Sequence, residues 1–308
     1  MKVFITGASG FIGSHFVKVL ENNHMVYSMQ SDLLEFSKVR QELFDFDPDI
    51  IVHFGARTEV ERSFYEQVTF SQVNYVGTIN LIESAAKLKN LKNFVFASTM
   101  EVYGWQPISD IIKEEGYLKD IPIFDENTIP NPNAPYAVAK YACEKYLEYA
   151  HRSLGLPFCA IRQTNTYGRK KNDFFVVEQI ITQMIKNSNV INLGYDTPYR
   201  NFLYIDDLLN LWSTIIENPD KVSNGYIFTI GPNNPIQIKE LANVIAKKLD
   251  WHGEIKWNSK PARPGEIYLL NSDHELVTKI TGWSPTVDLS SGLDRTIDHW
   301  KIELSISK

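Results

Sequence analysis

Short apolar runs alternate with amphipathic stretches through the first half of the chain. Residues 2–6 read as a buried strand, and a helix over 11–21 follows. A second strand is expected over 25–29, a helix over 37–46 closed by Pro48, and a third strand over 50–53. A long helix is predicted over 69–88, then a strand over 94–98, a helix over 135–153 and a fifth strand over 158–162. Strands alternating with helices predict βαβ units, hence a parallel sheet with right-handed crossovers.

Residues 105–133 break this rhythm. The stretch holds Pro107, Pro122, Pro130 and Pro132 and several charges, with a helix-like portion over 110–118. A long irregular segment inside a compact domain is often a lid or a binding loop, so the helical part is expected to pack over a ligand. Beyond Arg162 the pattern is mixed: a helix over 174–186, a strand over 226–230, and helices over 236–249 and 289–300. The expected fold class is α/β, a Rossmann-type doubly wound parallel sheet with a smaller α/β substrate domain. Residues 1–163 plus 202–230 form the first unit in this reading, and 164–201 plus 231–308 the second.

Composition narrows the classes. The 308 residues are 44% hydrophobic and 22% charged, ordinary values for a folded chain and wrong for a disordered one. No apolar run is long enough for a membrane helix, and the N-terminal segment turns at Gly7 without the apolar stretch of a signal peptide. A cytoplasmic protein is expected, with neither membrane nor nucleic acid as partner: 31 basic against 37 acidic residues leave a net charge of −6. Cys143 and Cys159 stand far from any C-x-x-C pattern, so they read as reduced thiols, and no metal site is expected.

Gly7, Gly10 and Gly13 follow the first predicted strand and open the first helix. One such glycine lets the chain reverse, one lets backbone approach a pyrophosphate, and one lets helix pack closely on strand. The helix N-terminus then stabilises the phosphates. The spacing predicts a dinucleotide site. An acid at the end of the second strand would select NAD by bonding the ribose 2′-hydroxyl, but that end reads Ser28-Met29-Gln30. Asp32 is the nearest carboxylate and could serve the ribose or the adenine. With no arginine there for a 2′-phosphate, NAD is expected, NADP not being excluded.

Tyr136 and Lys140 are four residues apart on a predicted helix that Pro135 is suited to start, so they share a face. An ammonium beside a phenol lowers the phenol's pKa, fitting it to take a proton from an alcohol whose hydride leaves for nicotinamide. Ser98 and Thr99 end the fourth strand, where ligands sit in such sheets.

TGASGFIGSH (6–15), HFGA (53–56), Asn74 with Gly77-Thr78, ASTMEVYG (97–104), APYAVAK (134–140), IRQTNTYG (161–168), RNFLYIDD (200–207) and RPGE (263–266) span nearly the whole chain. Together they resemble the extended short-chain dehydrogenase/reductases, the family of NAD-dependent nucleotide-sugar epimerases, dehydratases and decarboxylases. The resemblance implies a retained nicotinamide cofactor held by Gly7, Gly10, Phe11, Ile12, Gly13, Asp32, Leu33, Phe54, Gly55, Ala56, Tyr136 and Lys140. It implies Thr99, Tyr136 and Lys140 as the catalytic core. Thr99, Met100, Asn165, Arg200 and Arg263 would contact the nucleotide-diphosphate sugar, the arginines offering forked donors to phosphate. A homodimer through two sheet-flanking helices is also implied.

Glu101 bears on the reaction. In similar 4-epimerases this position usually carries a small residue; in the 4,6-dehydratases and glucuronate decarboxylases it is often glutamate. Once C4 is a ketone the C5 proton is acidic, and a carboxylate can remove it. Met100 departs from the dTDP-glucose type, which carries an aspartate there as acid for the departing hydroxyl. The expected activity is a nucleotide-sugar 4,6-dehydratase with Glu101 added to the catalytic set. A 4-epimerase, then a decarboxylase, remain open, with a one-way reductase and a non-catalytic cofactor-binding protein behind them.

Overall fold

The computed structural model describes residues 1–187, 189–259 and 264–306, the last without its side chain. Six parallel strands form the central sheet, in the spatial order Asn224–Ile230, Phe158–Gln163, Asn93–Thr99, Ile50–His53, Lys2–Thr6, Met25–Ser28. The strands Lys2–Thr6 and Ile50–His53 are short and almost wholly buried, as expected when helices cover both faces of a parallel sheet. On one face Phe4, Phe94, Phe96 and Phe158 pack under the helices Phe36–Phe46, Gly77–Ala85 and Pro135–Leu154. Fully burying one such ring contributes about 1.5–3 kcal/mol.

The chain runs from the first strand outward to Met25–Ser28, then crosses back to Ile50–His53 on the other side. The direction of winding reverses between the first and third strands, and ligands of open α/β sheets bind at the carboxyl ends of such a pair. There a Cβ on Gly7 would lie 2.6 Å from the backbone nitrogen of Gly55.

The helix predicted over 69–88 is broken. A helix at Gln67–Ser71 passes into a π-helical turn at Gln72–Val76 and resumes at Gly77–Ala85. The wider turn accompanies Asn74, which is buried and both accepts from the Arg57 amide and donates to the Arg57 carbonyl, each at 2.8 Å. Thr78 donates to the Asn74 carbonyl and faces His53, whose other ring nitrogen meets Thr6 at 2.6 Å. Burial, aided by the Lys140 charge, holds His53 well below the usual imidazole range, so it stays a neutral strut between the cofactor strand and this helix.

In the second half, Phe202–Tyr204 does not enter the large sheet. It pairs with Asn165–Tyr167, and Ile205–Glu217, a helix the sequence reading passed over, packs on Phe11–Leu20. The helix expected from Ile236 starts at Ile238, because Ile236–Gln237 pairs with Tyr199–Arg200. Tyr199–Arg200 also pairs with Leu269–Leu270. The helix of the proline-rich segment spans Ile108–Glu115, but it does not lie over a ligand cavity. Ile112 and Phe124 instead build a third core with Met100, Tyr103, Tyr199 and Leu269, and Phe124 bridges to Ser272. Among the described residues no helix is long and apolar enough to cross a membrane, and no cluster of metal-ligand type forms.

Candidate active site

A cavity of about 470 Å³ opens at the winding reversal. Its floor is the glycine turn: Gly7 has φ +70°, and a Cβ on Gly13 would stand 2.2 Å from the Gly7 carbonyl oxygen. Gly10 caps the helix Phe11–Leu20 without any side-chain hydrogen bond. Its first amide groups are therefore available to an anion. The cradle fits a dinucleotide diphosphate. Gly7, Gly10, Phe11, Ile12, Gly13, Phe54 and Ala56 all line it. Gly55, Leu33 and Asp32 do not line this cavity. Leu33 sits against Gly55 and Gly77, and Asp32 accepts the Leu34 amide at 2.8 Å.

Tyr136 and Lys140 rise from the first turns of Pro135–Leu154, whose start is fixed by proline at its first position and whose end by Gly155 at φ +72°. Both are buried and line the same cavity as Thr99, Met100, Glu101 and Asn165. Thr99 hydrogen-bonds the Tyr136 phenol. Glu101 follows at once on the short 3₁₀ turn Met100–Tyr103, where the Thr99 hydroxyl accepts its amide at 3.2 Å.

The electrostatics correct one expectation. Burial first, and the Glu101 charge second, push Tyr136 well above the ordinary phenol range, against the Thr99 hydrogen bond. Lys140 donates instead to the Ala97 carbonyl at 2.7 Å, over the Phe96 ring, and burial pushes it down to about 8 against the raising influence of Cys143 and Glu144. Only the Thr99 hydrogen bond acts to lower the phenol, where the four-residue spacing suggests the Lys140 charge.

Arg200 lies in the wall of a smaller adjoining recess with Glu101 and Glu266. It is buried, donating to the Tyr199 carbonyl at 2.9 Å and pairing with Glu266 at 3.4 Å. Arg263 lies outside the described residues.

Residues 3–231 match the model of the NAD dependent epimerase/dehydratase family. The chain belongs to that family. A candidate UDP-glucose 4-epimerase of Methanocaldococcus jannaschii is 30% identical, covering 97% of this chain and 98% of its own length. The dTDP-glucose 4,6-dehydratase 1 of Escherichia coli K12 is 25% identical over 97% of this chain and 92% of its own. The crystal structure of Thermotoga maritima UDP-glucose 4-epimerase with UDP-glucose superposes with a TM-score of 0.85 at 25% identity, covering 99% and 100% of the two chains. This epimerase/dehydratase family member is an enzyme of the extended short-chain dehydrogenase/reductase group.

Two residues of its site escaped the sequence reading. Lys170 and Glu178 are buried in the cavity wall and paired at 3.3 Å. The Lys170 ammonium stands 5.2 Å from the Phe11 ring centroid and 3.8 Å from that of Phe175. The ion pair thus stands beside Phe11, the first residue of the helix that the glycine turn opens. The signal was the basic run Arg169-Lys170-Lys171 directly behind IRQTNTYG, which reads as a solvated loop until the fold buries it.

Proposed function

We propose that this enzyme is an NAD-dependent nucleotide-sugar 4,6-dehydratase. The observation that carries this reading is the carboxylate of Glu101, set in the cavity wall near enough to raise the Tyr136 phenol by its charge. Tyr136 and Glu101 then share one cavity, so that two acid–base groups are at hand for neighbouring carbons of one sugar ring. The glycine turn, with Tyr136 and Lys140 opposite, would hold a nicotinamide nucleotide, which would supply hydride transfer at C4 and C6 and a positive charge favouring the phenolate. Tyr136, assisted by Thr99, takes the C4 hydroxyl proton. Glu101 takes the C5 proton acidified by the new ketone and gives it to the C6 hydroxyl, which leaves as water; when C6 is reduced, a proton from solvent enters at C5 and the one held by Tyr136 is released, closing the balance. Met100, packed into the third core, cannot donate that proton.

Mass spectrometry of products from a panel of nucleotide sugars, with no cofactor added, tests this. A product lighter by one water supports dehydration; a product of unchanged mass with shifted retention supports 4-epimerisation, which needs only Tyr136, Thr99 and the cofactor. Glu101→Gln is expected to block elimination by about 10²–10⁴-fold while still allowing transient nicotinamide reduction. An unchanged dehydration rate removes Glu101 from the mechanism.

A homodimer belongs to the same proposal. The helix Gln67–Ser71 with its π-helical continuation Gln72–Val76 lies beside Pro135–Leu154, and the pair leaves Val68, Val76, Val138 and Tyr149 exposed on the sheet's flank. Sedimentation at twice the chain mass is expected, and a monomer at micromolar concentration would remove it.

A further inference from the structure

The ribose that distinguishes NAD from NADP lies, in this architecture, beyond the carboxyl end of the second strand. That strand, Met25–Ser28, is the edge of the sheet, and its own end carries no acid. The fold brings one from elsewhere. Glu42, in the helix Phe36–Phe46, turns its carboxylate back onto the loop and accepts the Gln30 amide at 2.9 Å and the Ser31 amide at 2.8 Å. Two consecutive backbone N–H groups are the kind of cradle that holds a phosphate; here a side chain of the protein fills it.

Glu42 is ionised in that seat. Burial alone would raise its carboxyl, but the amide donors and the Tyr27 hydroxyl outweigh it and hold the group below the usual carboxylate range. The neighbouring cations are engaged elsewhere. Lys38 pairs with Glu35 at 2.6 Å, and Arg40 lies 5.1 Å over the Phe44 ring, two residues from Glu42 and so off its face of the helix. Asp32, the carboxylate favoured from sequence, already bonds within its own turn.

We infer that Glu42 is the residue that selects NAD over NADP, taking the place of the acid missing at the end of the second strand. Its negative charge repels a 2′-phosphate, and its oxygens occupy the two amides that would bind one. This inference rests on the dinucleotide reading of the glycine crevice.

Titration of the purified protein with NADH and NADPH, followed by nucleotide fluorescence, gives both dissociation constants without turnover. The wild type is expected to prefer NADH by tenfold or more. Glu42→Gln is expected to shrink that preference by about tenfold, mostly by tighter NADPH binding. Glu42→Asp keeps the charge and should keep the preference, an outcome that a purely loop-holding role would not give. Equal affinity of the wild type for the two nucleotides overturns the inference whether or not either variant folds. So does a folded Glu42→Gln with an unchanged ratio. Failure of the wild type to bind either nucleotide instead overturns the cofactor reading beneath it.

Discussion

Replacing Tyr136 by phenylalanine is expected to lower turnover by about 10²–10⁴-fold and to leave nicotinamide-nucleotide affinity near that of the wild type. The change deletes one hydroxyl and almost no volume. The ring stays packed at the start of its helix, and the glycine turn that holds the diphosphate is untouched. What disappears is the group that Thr99 bonds and Glu101 faces. Single-turnover absorbance of reduced nicotinamide separates the two effects. Near-normal turnover by the Tyr136→Phe variant defeats the assignment, and so does a loss traceable to weaker cofactor binding alone.

The second large effect lies beneath the site. Strand register puts Ser98, Arg162 and Thr229 side by side on three adjacent strands. Glu144, one turn beyond Lys140 on the helix Pro135–Leu154, reaches down to Ser98 and Arg162. Arg162 binds its carboxylate through Nε at 3.1 Å and a terminal nitrogen at 2.8 Å, Ser98 donates to it, and Arg162 also donates to the Tyr103 hydroxyl at 3.1 Å. Tyr103 in turn donates to the Asp125 carbonyl at 2.7 Å. Arg162→Met strands the Glu144 charge with no water to receive it and is expected to cost about 3–5 kcal/mol, read as a lower urea midpoint. Adding Glu144→Leu should return part of that loss, since an apolar pair is often as stable as a buried ionic one. A single variant that unfolds at the wild-type midpoint shows that the pair does not hold the helix Pro135–Leu154 to the sheet.

Much of this was legible along the chain, for identifiable reasons. Strands buried on both faces show as unbroken apolar runs, so the inner strands of the central sheet stood out, and the glycine and Y-x-x-x-K motifs fell on the elements predicted for them. The π-helical turn did not show, because it depends on Asn74 reaching Arg57 across a loop. The two- and three-residue strands around Tyr199, Leu269 and Asn165 have no periodicity to read. At the site, spacing brought Tyr136 and Lys140 together but could not reveal that Lys140 would turn to Ala97, because that contact spans 43 residues. Glu42 escaped for a similar reason: an acid was sought at the end of a strand, and it arrived from the following helix.

The third core has a consequence for anyone redesigning substrate scope. Loops near an active site are the usual place to shorten, graft or randomise. Residues 105–133 look like such a loop in the sequence, yet Ile112 and Phe124 are the apolar filling between the turn that carries Glu101 and the strands at Tyr199 and Leu269. Trimming them would unmoor the turn that carries Glu101 rather than widen an entrance. The rim residue Phe175, exposed at the cavity's edge, offers a better target for such libraries.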